Sequence, residues 1–421
     1  MIVNCILLLV SLIIYFSMGV QGFVLLCAGL LIAFFAAWFC RKSRAVFILS
    51  MVLELGFLVL VKLVPLTNPL GIIVPLGASY YTLKNASYLI DVRRGTTEPE
   101  KNLINYALYA AFLPGLYLGP IIRYSDAKRE FTKKKSINAE NIWAGLLRIA
   151  LGCVKKYVAA ARIGIVIAAI VSDTKVYNGS FALLAMFLYS FQLFFDFSGG
   201  IDIVLGISRL FGFRFAENFD SPYLSENMKE FWRRWHMTLG SWLRDYVYIP
   251  LGGSRVSRAR HALNTIITFL LSGLWHGIHY VLWGFFHGIF VLLGKKYNTK
   301  FRRLNIVINF VIVSLLWAFF VWPDTSTALR MLGSVFTVWN PGALAGNILE
   351  LGISLAEWIV LLIVVIALCL FDAKKEKLSA WAVSRGPELK LTILLAAVLI
   401  VLIFGVYGIG FNAGDFIYSR F

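Results

Sequence analysis

The pentapeptide Gly273-Leu274-Trp275-His276-Gly277 joins two apolar runs, 262–275 and 278–294, which Arg260 closes at one end and Lys295-Lys296 at the other. His276 comes sixteen positions after Arg260, and Lys295 nineteen positions after His276. At 1.5 Å per residue the two legs measure about 24 and 28 Å, against a hydrocarbon core of about 30 Å. With both basic ends on one side of a bilayer, the stretch reads as a helical hairpin with His276 at its apex. Gly273 and Gly277 allow a break or a close backbone approach there. An ionisable residue at membrane depth is costly and marks function by default.

The rest of the chain agrees with a membrane setting. Of its 421 residues, 59% are hydrophobic and 15% charged, and the mean hydropathy is +0.78. A soluble domain carries about 45–50% apolar and about 25% charged residues, so the composition is that of an all-α integral membrane protein. Apolar runs fall at 2–18, 20–39, 44–64, 70–90, 103–122, 143–171, 180–213, 262–275, 278–294, 304–322, 347–371 and 391–410. At about 20 residues per crossing they predict about 11 transmembrane helices. They form one polytopic domain, with peripheral helices over 1–66, a core over 70–320 and further helices over 321–421. Residues 1–18 resemble a signal peptide but lack a basic start, and read as a first membrane helix.

The net charge of +18 sits in short tracts between the apolar runs. That is the positive-inside pattern, and it argues for a lipid bilayer as the partner and against nucleic acid. The tracts Arg41-Lys42-Ser43-Arg44, Lys133-Lys134-Lys135, 255–260, 295–303 and Lys374-Lys375-Glu376-Lys377 are expected on the cytoplasmic side, which places Phe421 outside. Between Arg44 and Lys133 lie three apolar runs, an odd number for a segment with both ends inside. One stretch, around 65–81 or 114–120, should therefore be re-entrant and line a funnel. The cysteines Cys5, Cys27, Cys40, Cys153 and Cys369 lie scattered in apolar segments, without the spacing of a disulfide framework or metal site.

Residues 225–246 place Met228, Phe231, Trp235, Leu239, Trp242 and Tyr246 on one stripe, with Lys229, Arg233, Arg234 and Arg244 off it. This predicts an amphipathic interfacial helix, either an anchor or a basic funnel mouth for an anionic donor. It also carries a second histidine, in Phe231-Trp232-Arg233-Arg234-Trp235-His236. Asp196 and Asp202 interrupt the run 180–213 and need cationic partners, for which Arg209 or Lys155 and Lys156 are candidates. Glu54 and Lys62 stand eight apart, on one helix face, and are expected to snorkel or pair. His276, His279 and His287 can share a stripe, but further ligands are missing nearby, so no metal site is expected. His261 belongs to the basic loop.

Several motifs occur in order: Ser87-Tyr88-Leu89-Ile90-Asp91, Gly119-Pro120-Ile121-Ile122-Arg123, Phe191-Gln192-Leu193-Phe194-Phe195-Asp196-Phe197-Ser198-Gly199, Glu217-Asn218-Phe219 and Pro222-Tyr223-Leu224. After the 231–236 segment come Trp242-Leu243-Arg244-Asp245-Tyr246, Tyr248-Ile249-Pro250-Leu251-Gly252-Gly253, the 273–277 box and Trp283-Gly284-Phe285-Phe286-His287-Gly288. Over residues 70–320 the chain resembles the membrane-bound O-acyltransferase (MBOAT) family, in its alginate O-acetyltransferase-like bacterial branch. The resemblance implies an enzyme of the bacterial plasma membrane that binds no cofactor. It would move an acyl group from a cytoplasmic thioester, acetyl-CoA or an acyl carrier, to a hydroxyl of an extracytoplasmic polysaccharide or to a partner acyltransferase. It also implies that His276 is the essential histidine at the base of a funnel and His236 the other of the pair.

That chemistry suits the residues. A neutral imidazole with a pKa near 6.5 is matched to removing a proton from an attacking alcohol. Trp275 can wall the site from water, and Asn264 or Ser272 can donate to the oxyanion. Arg233, Arg234, Trp235, Asp196, Arg244 and Asp245 are the remaining candidates for binding substrate or donor. The sequence departs from the alginate type at Val321-Trp322-Pro323-Asp324, where that type has Phe-Arg-Ala, while Phe416-Ile417-Tyr418 resembles its usual end. The departure leaves the acceptor open. Two other readings stand beside this one: transfer of D-alanine from a carrier protein to teichoic acid, and a polytopic transporter. A transporter gives no reason for the ordered motifs, and no inverted repeat is visible.

Overall fold

The computed structural model describes residues 2–67, 75–133, 138–294 and 296–407. Every regular element among them is helical, and a helix satisfies its own backbone where no water is present. Five described helices are long and apolar enough to cross a membrane: Val20–Cys40, Ser180–Leu210, Arg302–Val321, Leu355–Asp372 and Pro387–Phe404. Val3–Ser17 and Ile278–Leu293 are apolar but shorter. The Leu355–Asp372 helix exposes Ile359, Leu362, Ile363, Ile366 and Leu370, an apolar face suited to lipid.

The expectation of about 11 spans came from counting apolar runs, and several of those runs are carried by shorter or interrupted helices. Ala78–Arg94 holds Lys84 and Asp91. The 103–122 run breaks into Leu103–Ala111 and the five-residue Leu113–Tyr117, then leaves helix until Tyr124. Of the stretch 114–120, expected to be re-entrant, 114–117 is helical and 118–120 is not. The buried Lys84 ammonium donates to the Tyr109 carbonyl, 3.3 Å away, in the last turn of the first piece, where carbonyls lack helical partners. The other site, 65–81, runs through 68–74, which lie outside the described residues, as do Lys134, Lys135, Lys295, Phe421 and the 416–418 motif. So does the side chain of Lys62; Glu54 accepts from Asn85 Nδ2, 3.2 Å away.

The long Ser180–Leu210 helix is the central column. Ala139–Cys153 packs against it through paired glycines: a Cβ on Gly199 would lie 2.8 Å from the Gly152 carbonyl oxygen, and one on Gly206 the same distance from that of Gly145. Such close approach is how small residues bind helices in a membrane. The chain then widens into a π-helix, Val154–Ala160. More residues per turn means a smaller angle between neighbours, and the adjacent lysines both reach the column. Lys156 pairs with Asp196 at 2.8 Å and Lys155 with Asp202 at 2.7 Å. Of the two partners expected for these carboxylates, the lysines are used and Arg209 is not. Arg148 completes the Asp202 pair at 3.1 Å and holds Glu217 at 2.6 Å.

The single amphipathic helix expected over 225–246 does not form. Met228–Arg234 and Met237–Leu243 are separate helices, and Arg244–Tyr248 is a π turn. Between them His236 adopts φ 44°, ψ 52°, in the left-handed region. The cause is Trp235, whose ring is drawn into the aromatic core beside Phe231, Phe219 and Trp317. The backbone turns back at the next residue, and the Asn218 carbonyl takes the Met237 N–H at 3.0 Å.

Candidate active site

The hairpin read from the sequence is present. Arg258–His276 starts on the Ser257 hydroxyl, which accepts the Arg260 N–H, and ends at His276. Gly277, at φ 145°, leads through a 3-10 turn into Val281–Leu293. Glycines let the legs close. A Cβ on Gly273 would strike the Tyr280 carbonyl, and one on Gly284 would strike that of Phe269.

At the apex His276 is 6% exposed and enclosed by aromatic rings. Trp275 meets it edge to face at 4.7 Å, Trp283 at 5.5 Å, Phe320 at 5.5 Å and Tyr280 at 6.2 Å. His236, 2% exposed, packs on Phe197 at 4.9 Å and on Trp275 at 6.2 Å. One indole therefore serves both histidines, and Tyr80 meets the same indole at 6.0 Å. Asn218 Oδ1 lies 3.3 Å from His236 Nδ1 and already accepts the Thr238 N–H and hydroxyl at 3.0 and 2.9 Å. Since an amide oxygen only accepts, neutral His236 carries its proton on Nδ1 and keeps Nε2 as its basic nitrogen.

The other predicted residues are distributed more widely. Trp235 belongs to the aromatic core, stacked on Phe231 at 5.4 Å. Arg233 is exposed, and Arg234 pairs with Glu230 at 2.7 Å. Asp196 is paired with Lys156 and stands one residue before Phe197, which faces His236. Asn264 lies twelve residues before His276, about 18 Å along the helix axis. Its amide donates to the Gly253 carbonyl at 3.2 Å, so it holds the 248–253 segment and stays apart from the histidines. Ser272 is buried one turn before His276.

Arg244 and Asp245 form part of a second cluster that unites three distant motifs. Asp245 pairs with Arg244 at 2.8 Å and with Arg123 at 3.0 Å. Burial works against its charge, but these guanidiniums outweigh it and hold the carboxyl below its ordinary range. The Tyr246 hydroxyl donates to Asp91 at 2.7 Å, and its ring lies beneath the Arg123 and Arg94 guanidiniums at 4.4 and 5.4 Å. From there an apolar cluster of Trp242, Leu239, Ile121, Leu83 and Tyr80 continues to Trp275. The charged cluster and the histidine pair are thus two ends of one packed wall.

Sequence reasoning did not single out Trp283, Phe320, Phe197 or Asn218 as neighbours of the histidines. Trp283 carried a signal, being seven residues past His276 across a tight turn. Phe320 and Phe197 come from other helices, and no spacing within the hairpin reveals them.

Residues 97–338 match the model of MBOAT, the membrane-bound O-acyltransferase family. A probable alginate O-acetylase of Pseudomonas syringae is 37% identical over 273 residues, 63% of this chain and 52% of that protein. A peptidoglycan O-acetyltransferase of Helicobacter pylori is 34% identical over 305 residues, 62% of this chain and 57% of its own length. A teichoic acid D-alanyltransferase of Bacillus subtilis is 31% identical over 255 residues, 56% of this chain and 63% of that one. The chain spans about half the length of the alginate-type relatives it matches.

Proposed function

Because the chain belongs to the membrane-bound O-acyltransferase family, we propose that it is an O-acyltransferase using His276 as general base. The group is acetyl and the donor a cytoplasmic thioester, acetyl-CoA or an acylated carrier protein. The acceptor is a hydroxyl of an extracytoplasmic polysaccharide, or of a partner transferase that passes the group on. The observation that carries this reading is the placement of His276: buried at the hairpin apex, ringed by aromatics and joined to His236 through Trp275.

In that setting the imidazole takes the proton of the attacking alcohol as its oxygen bonds to the thioester carbon. The thiolate leaves as the tetrahedral intermediate collapses and recovers the proton from the imidazolium. Such a base contributes about 10²–10⁴-fold. The aromatic wall excludes water, which strengthens each electrostatic interaction inside and suppresses hydrolysis of the donor. Arg94, Arg123 and Arg244, at the far end of the wall, suit the anionic part of such a donor.

The test uses the protein in lipid with radiolabelled acetyl-CoA, comparing wild type with His276→Ala. Loss of thioester turnover with the fold intact supports the reading, whereas unchanged turnover removes His276 as the base. A second reading, D-alanyl transfer, is favoured by the 32% identity to a teichoic acid D-alanyltransferase of Streptococcus thermophilus, of which the chain covers 68%. A D-alanylated carrier protein offered in the same assay separates the two.

A further inference from the structure

A base accounts for the proton but leaves the negative charge that develops on the thioester oxygen. Removing one donor to such an oxyanion costs about 10²–10³ in kcat in enzymes where it has been measured. Asn264, a candidate from the sequence, is engaged by Gly253 three turns away from His276. Trp283 is a direct neighbour of His276. It is 1% exposed, and its ring meets His276 at 5.5 Å with an interplanar angle of 88°. Its indole nitrogen is buried and has no hydrogen-bond acceptor among the described residues. Indole is a donor only, and buried polar side-chain atoms nearly always have partners.

Nothing about the ring is loose. Trp232 meets it at 5.5 Å, His287 at 4.8 Å and Phe320 at 5.0 Å. His287 is in turn fixed by the Trp232 indole N–H, donated to its Nδ1 at 3.1 Å. Gly284, the next residue, lies so close to the facing leg that Trp283 is pressed into the apex. A donor held this firmly costs no reorganisation at the moment of reaction.

We propose that Trp283 is a catalytic residue whose indole N–H donates to the thioester oxygen. This rests on the reading of His276 as base. As the alcohol oxygen bonds to the carbonyl carbon, the carbonyl π pair moves onto oxygen, the Trp283 N–H stabilises it, and the alcohol proton passes to His276. The pair then returns, the C–S bond breaks, and the thiolate takes the proton from the imidazolium. The products are an ester and a thiol.

The experiment is isotope-edited infrared spectroscopy of [1-¹³C]acetyl-CoA bound to the protein in lipid, with turnover measured in parallel. Wild type is compared with Trp283→Phe, with β-(3-benzothienyl)alanine at position 283, and with His276→Gln. The benzothienyl residue keeps the indole shape and loses only the N–H, so it serves where phenylalanine disturbs folding. In wild type the bound carbonyl stretch is expected at lower frequency than in water. Both 283 variants lose that shift and lower kcat by roughly 10²–10³, leaving KM and the pH midpoint of kcat in place. His276→Gln keeps the shift and loses turnover. Retention of the shift and of kcat by both 283 variants overturns the role of Trp283. Retained turnover in His276→Gln overturns the base alone, because the carbonyl shift reads Trp283 independently.

Discussion

The His236 imidazole and the Trp275 indole lie 6.2 Å apart, and the residue after Trp275 is His276, so a single side chain separates the two histidines. If that indole keeps water from the thioester, Trp275→Leu should shift the fate of the acyl group. Transfer should fall and hydrolysis rise, read as the ratio of labelled ester to free labelled acetate. An unchanged ratio would show that the indole only fills space.

His236 pays for its position with a left-handed backbone, worth about 1–2 kcal/mol for an ordinary residue. Asparagine visits that region readily and glycine without penalty. All three variants lose the packing on Phe197 and Trp275, but His236→Asn and His236→Gly should lower the thermal midpoint less than His236→Val, which adds backbone strain. Activity of the Asn and Gly variants then reports the imidazole itself, separately from the turn it occupies.

The pairs of the central column should respond unequally to single and double changes. Lys155, 6% exposed at its side chain, faces Asp202, and Asp202→Asn leaves its charge without that partner, while Arg148 keeps Glu217. Breaking a buried pair from one side costs about 3–5 kcal/mol. The double variant Lys155→Met/Asp202→Leu should cost less than Asp202→Asn alone. Thermal unfolding in detergent checks both, and equal costs would show that water reaches the pair.

Glu100, in the loop before Leu103–Ala111, ties that loop to the helix Tyr124–Thr132. Its carboxylate meets Lys128 at 2.8 Å, the Tyr124 hydroxyl, and the N–H groups of Lys101 and Asn102 at 2.9 and 2.8 Å. Burial alone would raise its pKa; the Lys128, Tyr124 and Asn102 contacts outweigh burial and hold it below the ordinary value. A group depressed on folding stabilises the fold above its unfolded pKa, about 4.3 for glutamate, and that stability is lost as pH falls through the folded value. Between pH 6 and pH 3 the wild-type midpoint should thus fall further than that of Glu100→Gln. Parallel curves would remove Glu100 from the acid response.

The hairpin was legible because two basic ends and a central Gly-X-X-His-Gly leave few alternatives, and the structure turns at Gly277 as the spacing required. The lysine partners of Asp196 and Asp202 were legible because a buried carboxylate in apolar surroundings demands a cation. The 225–246 helix was misread for a definable reason. Its 3–4 periodicity is genuine, but Trp235 packs with Phe231 and Trp317 and the chain turns back at His236. A period describes one element, and tertiary burial overrode it. The aromatic cage failed to show for the same reason, since Phe197 and Phe320 reach the histidines from helices that only the fold brings near. The charged cluster at Tyr246 was visible as three separate motifs with no hint of their contact.

The π-helix at Val154–Ala160 makes one stretch of the chain intolerant of length change. Upstream of it, Gly145 and Gly152 must face the central column; downstream, Arg162 approaches Glu357 of a different helix. A change of length that the wide turn does not absorb would rotate everything beyond it by about 100° per residue relative to the glycines. Substitutions there alter one contact at a time, but an insertion or deletion misaligns both lysines and the next helix together. In any collection of related chains, gaps should therefore fall outside 145–162, and the counting of residues across that window should be as invariant as any side chain within it.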